Sequence, residues 1–179
     1  DKRRWHMNEV LQIMMKDSDN RMAESLFWQL SSFGGGKFGN IKSVVSNIEQ
    51  VFQRAGIPQA SGYRIADGSG LSLYNYITPQ MLNALLVYAW SQEDIRAHLI
   101  PSLPVGGVDG TLNNRFQGTK AYNNIFAKTG TVTGVSSLSG YANGGNGHVL
   151  SFAIINQGVE RGSMGRSFQD QVCIAITEP

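Results

Sequence analysis

Through the first hundred residues the apolar positions recur every three or four places, the spacing of a single buried helix face. Met7, Val10, Leu11, Met14 and Met15 predict an amphipathic helix over 7–16. It stops at Lys16-Asp17-Ser18-Asp19-Asn20, whose short polar side chains favour caps and turns over helix interior. Met22, Ala23, Leu26, Phe27 and Leu30 predict a second helix, ended by Gly34-Gly35-Gly36. A third, over 40–55, carries the stripe Ile41, Val44, Val45, Ile48, Val51, Phe52 and Ala55, with Gly56 placed at its C-terminal end. Residues 56–77 read as loop around Asp67-Gly68-Ser69-Gly70. Thr78-Pro79 then supplies the N-cap and first position of a fourth helix, lined by Met81, Leu82, Leu85, Leu86 and Ala89. A short helix over 92–99 precedes Pro101, and a loop rich in Gly and Asn fills 102–124.

From there the period falls to two. Residues 126–132, 136–142 and 149–156 read as strands. The tract Asn143-Gly144-Gly145-Asn146-Gly147 marks a hairpin between the second and third. The run Val149-Leu150-Ser151-Phe152-Ala153-Ile154-Ile155 is almost wholly apolar, as for a strand buried on both faces at the centre of a sheet. Phe168, Val172 and Ile176 predict a closing helix. The expected class is α+β: helices against a three-strand antiparallel meander with a C-terminal helix. A central third strand needs a neighbour on its outer edge, because an unpaired apolar edge invites aggregation. No further strand is predicted within these residues, so a preceding part of the same domain is expected to supply one.

Composition fits one globular domain or most of one. Of 179 residues, 41% are hydrophobic and only 16% charged. A net charge of +2 gives no electrostatic case for nucleic acid or an anionic membrane. Lys2-Arg3-Arg4 reads as a solvated end. Cys173 is the single cysteine; it has no partner for an internal disulfide and falls in an apolar helical pattern. No run is long enough to span a bilayer. No signal peptide is visible at Asp1, and the absence of an initial Met leads us to expect an upstream segment. His6, His98 and His148 lack metal-ligand spacing, and no metal or cofactor is expected. Glu49 lies opposite the apolar stripe of its helix and reads as solvated. Asp67 with Ser69, and Asp109 with Thr111, read as turn-forming pairs. Trp5, Trp28 and Trp90 read as packing residues.

Two triplets carry candidate chemistry. Lys128-Thr129-Gly130 joins a strand-like run to Thr131-Val132, offering an ammonium, hydroxyls and backbone donors to a carboxylate along one groove. Gly130 lets a ligand lie close to the strand. Ser18-Asp19-Asn20 sits between two helices. Ser18 can relay a proton and Asn20 can hold an amide, while Asp19 pins the turn. Lys-Thr-Gly and Ser-Asp-Asn are two of the three motifs of active-site serine enzymes that handle β-lactams. The third, Ser-x-x-Lys, bears the nucleophile. None of the lysines at 2, 16, 37, 42, 120 and 128 has a serine three places before it.

These triplets, with Ala23-Glu24, Asp67-Gly68-Ser69-Gly70-Leu71-Ser72, Pro104-Val105-Gly106-Gly107-Val108-Asp109-Gly110-Thr111-Leu112 and Gly134-Val135-Ser136, resemble the penicillin-binding protein 4-type D-alanyl-D-alanine carboxypeptidases/endopeptidases. The resemblance runs from about residue 7 to 176. It implies the C-terminal part of a β-lactamase/transpeptidase-like fold, with the first two strands and the Ser-x-x-Lys helix preceding this chain. It implies a serine attack between two D-alanines, an acyl-enzyme, β-lactam binding and a periplasmic or cell-envelope location. Ser18 and Lys128 would assist proton transfer, Asn20 would orient the substrate, and Thr129, Gly130 and Thr131 would line its carboxylate end. The expected partners are peptidoglycan D-alanyl-D-alanine peptides, β-lactams and the N-terminal part of the same domain. The chain alone is expected to be inert. The alternatives are a β-lactamase or esterase of the same fold, or a non-catalytic fragment that binds cell-wall peptide or forms a homodimer through its open sheet edge.

Overall fold

The computed structural model describes residues 5–35, 39–58 and 62–178; the Lys2-Arg3-Arg4 cluster and Gly36 lie outside them. The helical stripes become α1 (Met7–Lys16), α2 (Asn20–Gln29), α3 (Ile41–Arg54), α4 (Pro79–Ser91) and α5 (Glu93–Ser102). Their ends follow the local chemistry. Thr78 Oγ1 accepts the Met81 amide at 3.3 Å ahead of Pro79. Gly56 closes α3 at φ +73°, a left-handed position that costs glycine little. Two boundaries differ from expectation. After Gln29 the chain tightens into a 3₁₀ turn, Leu30–Gly35, so Gly34 and Gly35 lie in that turn and do not end the α-helix. Helix α5 runs through Pro101, which sits in its last turn and forgoes a single backbone bond. Leu103 N then bonds the Leu99 and Ile100 carbonyls, each at 3.2 Å.

On α3, Val44 and Phe52 are buried, whereas Ile41 and Val51 of the expected stripe are exposed. Phe52 packs with Ile57 and Met81 in a small helical core. Glu49 is not simply solvated: its Oε1 accepts the Tyr63 hydroxyl at 3.1 Å. Burial, reinforced by that carboxylate, pushes the Tyr63 phenol up. Of the tryptophans, Trp28 packs edge-on against Phe27 and Trp90 lies 5.3 Å from the Tyr141 ring, while Trp5 is half exposed.

Strands β1 (Ile125–Val132), β2 (Val135–Asn143) and β3 (Val149–Gln157) form an antiparallel sheet in the order β1-β2-β3. The register runs from Ile125↔Ala142 to Val132↔Val135, and from Val135↔Gln157 to Asn143↔Val149. The predicted hairpin is present, with Gly144 N donating to His148 O at 2.8 Å. β2 is central and β3 is an edge, with no strand beside its outer margin among the described residues. Helix cover on one face accounts for part of the apolar run. Residues 150–156 are half-buried, and α4 packs across β3.

Alternation gives β2 two different faces. Tyr141 points toward α4, and its hydroxyl donates to Leu86 O at 2.8 Å. Ser136, Leu138 and Ala142 point the other way, toward α6 (Gly162–Thr177). The face that α6 turns inward also differs from expectation. Gly165, Gln169, Cys173 and Thr177, spaced by four, are buried, and Phe168 is exposed. Gln169 behaves as a core residue because its amide is fully partnered. It donates to Ser136 Oγ and Asn156 Oδ1 at 3.0 Å each and accepts from Arg115 at 3.3 Å. Cys173 lies in the main core with Leu112, Ile125, Ala127 and Leu138, and burial pushes its thiol up to about 12.

Candidate active site

The Ser18 turn is built by its neighbour. Asp19 is the N-cap of α2, and its Oδ1 accepts the amides of Arg21 and Met22 at 2.8 and 3.0 Å. The Met22 amide foremost, with the Arg21 amide and charge, holds this carboxyl below the usual range against the opposing effect of burial. Asp19 thus takes the pinning role that its residue type suggested. Ser18 is held at φ +57°, a strained conformation for a side chain other than glycine. Such outliers persist only where the surroundings enforce them. Asn20 is the first residue of α2 and is exposed.

One turn further along α2, Glu24 Oε1 accepts the Gly68 and Ser69 amides at 3.1 and 3.0 Å. The Asp67 loop is thereby tied to the helix that follows Ser18. Asp67 itself accepts from Gly70 N, Ser72 N and Asn75 Nδ2, each at 2.7 Å. Burial would raise its pKa, but these bonds outweigh burial and lower it. The turn-forming reading of Asp67 therefore fits.

Lys128 lies on β1, opposite Ser139 in register and on the sheet face that carries Tyr141. Its Nζ donates to Ser18 Oγ at 2.6 Å, across 110 positions of sequence, and to Thr129 O at 2.8 Å. No carboxylate of the described residues forms an ion pair with it. Burial without a counter-charge pushes its pKa below the usual lysine value of 10.5. An amine that can lose its proton more readily, touching a hydroxyl, is a pair suited to moving protons. Gly130 faces Ser137, and a methyl group added at Gly130 would run into Ser137 Oγ. Strand alternation sends Thr129 and Thr131 to the face opposite Lys128. The ammonium and hydroxyls expected along one groove are therefore divided between the two faces of one edge strand.

That edge is partly covered. Pro104 O accepts the Ala127 amide at 3.0 Å, Gly106 N donates to Ile125 O at 2.8 Å, and Val105 pairs with Phe126. Past Ala127 no strand covers β1 among the described residues. Because Ala127 N points outward, alternation turns the backbone groups of Thr129 and Thr131 to the same open side.

The covering loop joins both triplets, and the sequence reading missed this. Asp109 Oδ2 meets Lys16 Nζ at 2.5 Å, and its Oδ1 accepts Val105 N at 2.8 Å. Lys16 also donates to Leu103 O at 3.0 Å. Gly110 sits at φ +54°, where an added methyl carbon would come within 2.8 Å of Lys16 O. Thr111 Oγ1 lies 2.9 Å from Thr129 Oγ1. The loop thus touches the end of α1, two residues before Ser18, and β1 one residue after Lys128. Beyond marking a turn, the Asp109-Gly110-Thr111 string gave no local hint of these partners. Among the described residues no cluster of His, Cys, Asp and Glu could hold a metal, and no helix is long and apolar enough to cross a membrane.

Comparison with known proteins follows the same lines. The chain is 31% identical over 158 residues to the D-alanyl-D-alanine carboxypeptidase DacB of Haemophilus influenzae, covering 87% of this chain and 33% of that protein. It is 36% identical over 181 residues to a D-alanyl-D-alanine carboxypeptidase of Actinomadura sp. strain R39, covering 96% and 32%. It spans about a third of the length of these curated relatives. The crystal structure of penicillin-binding protein 4 (dacB) from H. influenzae, complexed with a β-lactam, superposes with a TM-score of 0.80 at 28% identity, over 96% of this chain and 41% of that one. Residues 2–177 match the model of the D-Ala-D-Ala carboxypeptidase 3 (S13) family, and the chain belongs to that family.

Proposed function

We propose that the chain forms the C-terminal portion of one catalytic domain of a serine-type D-alanyl-D-alanine carboxypeptidase/endopeptidase. The whole protein acts on peptidoglycan peptides in the cell envelope through an acyl-enzyme and binds β-lactams. The nucleophile, on a Ser-x-x-Lys helix, belongs to a segment outside these 179 residues, and strands of that segment pair with the open margin of β3. The carrying observation is the 2.6 Å contact between Lys128 Nζ and Ser18 Oγ. It joins the two family triplets at one point, next to the uncovered edge of β1.

In this reading Lys128 and Ser18 pass a proton to the leaving amine of the terminal D-alanine. Asn20 holds the substrate amide. The substrate backbone lies antiparallel to Thr129–Thr131 and uses their outward N–H and C=O groups, as an added strand does. Gly130 leaves that approach open, and Thr129 and Thr131 receive the terminal carboxylate. The pair alone lacks the group that attacks the carbonyl, and groups that act as a unit retain little activity when one is removed.

Fluorescent penicillin tests the proposal. The whole protein should label covalently, and residues 1–179 alone should not. Labelling of the isolated chain, or a whole protein that stays unlabelled, would overturn it. Sedimentation of the whole protein tests the assignment of the β3 margin; a dimer lost on blocking β3 would place a second copy there.

A further inference from the structure

Taking the proposed peptidase reading as its basis, we propose that Thr111 is a positioning residue: its hydroxyl donates to Thr129 Oγ1 and leaves the Thr129 proton free for the terminal carboxylate of the bound peptide or β-lactam. Thr129 Oγ1 donates to Thr111 Oγ1 at 2.9 Å, and one proton lies between two hydroxyls that can each rotate to give or receive it. A hydroxyl has one proton to give and two lone pairs to receive with. If Thr129 still gave its proton to Thr111 with a ligand bound, it would offer only lone pairs to a carboxylate, which repels them. Ligand binding therefore selects the opposite direction, with Thr111 as donor. A donated bond also polarises the acceptor's own O–H and strengthens the bond it makes in turn.

Thr111 is exposed, so burial does not hold it. The loop does. Gly110, before it, is pressed against Lys16 O in a left-handed conformation, and Leu112, after it, is fully buried in the main core. Asp109 is fixed from two sides by Lys16 and the Val105 amide. A hydroxyl on so constrained a turn is pre-oriented toward β1, and this is what separates it from an ordinary surface threonine.

The test compares acylation of the whole protein by benzylpenicillin and by its methyl ester, which lacks the carboxylate charge. In Thr111→Val and Thr111→Ala, the second-order rate constant with benzylpenicillin should fall about tenfold, the scale of a weakened bond to a charged group. The rate constant with the ester should stay within about twofold, so the preference for the acid shrinks about tenfold. Thr111→Ser, which keeps the hydroxyl, should retain the preference. Melting temperatures report folding, and Thr111→Ala serves if the Val variant does not fold. Equal losses with acid and ester, or an unchanged preference in Thr111→Ala, would overturn the role of Thr111 while leaving the peptidase reading intact. A wild-type whole protein that reacts with neither compound would overturn both.

Discussion

Two lysines serve the Ser18 turn, and their surroundings could hardly differ more. Lys16 leads into the turn along α1 and ends on the Asp109 carboxylate at 2.5 Å and the Leu103 carbonyl at 3.0 Å. Lys128 reaches the turn from β1 and ends on a hydroxyl at 2.6 Å and a carbonyl at 2.8 Å, with no carboxylate in ion-pair range among the described residues. Both side chains are partly buried. A carboxylate beside an ammonium fixes its charge and makes it a brace. A hydroxyl fixes its position and leaves its charge free to change. Lys16 thus holds the loop that joins the two motifs, and Lys128 is the amine to which the proposed mechanism gives the proton transfer.

The sharpest way to break this contrast is to remove each amine. In the whole protein, Lys128→Ala should cut acylation by labelled penicillin about 10²–10⁴-fold, the scale of a lost proton-transfer group. Its melting temperature should change little. Acylation within tenfold of wild type would show that the amine is dispensable. Cutting the brace should give the opposite pattern. Asp109→Ala removes the acceptor of Val105 N and leaves Lys16 Nζ only the Leu103 carbonyl, and should cost about 2 kcal/mol of stability by chemical denaturation. Its acylation should fall far less than in Lys128→Ala. An Asp109→Ala protein with unchanged stability but lost acylation would reverse the two roles.

The sequence disclosed one of these lysines and hid the other. The meeting of Lys128 with Ser18 was legible because two short strings, each weak alone, occur together in the order of a known signature. The helices were legible from apolar spacing, as Thr78-Pro79 shows. Lys16 read only as the end of a helix, because its partner lies 93 positions away and no local pattern encodes that pairing. Thr111 stayed a turn residue for the same reason. The outer neighbour of β3 is not legible from its apolar run, because such a run reports covered faces and not paired edges. On α6 the apolar spacing of Phe168, Val172 and Ile176 marks the helix but not its most buried line, where a fully partnered amide, Gln169, sits with Cys173. Polarity alone could not reveal that each of its bonds would be met.

Lys128 also carries a signed pH signature. Its folded pKa is lowered by burial, so the unfolded chain holds more protons between that value and 10.5. Across that window folding stability rises with pH. The cost of burying the ammonium is present in full below the folded value and is relieved as the amine deprotonates. The most direct measurement is a ¹³C NMR titration of the Lys128 ε-carbon, assigned by comparison with Lys128→Arg. A midpoint below 10.5 is expected for an amine held against Ser18 without a counter-ion. A midpoint at or above 10.5 would mean that Lys128 keeps its charge like an ordinary lysine, and the proton-exchanging pair would be lost.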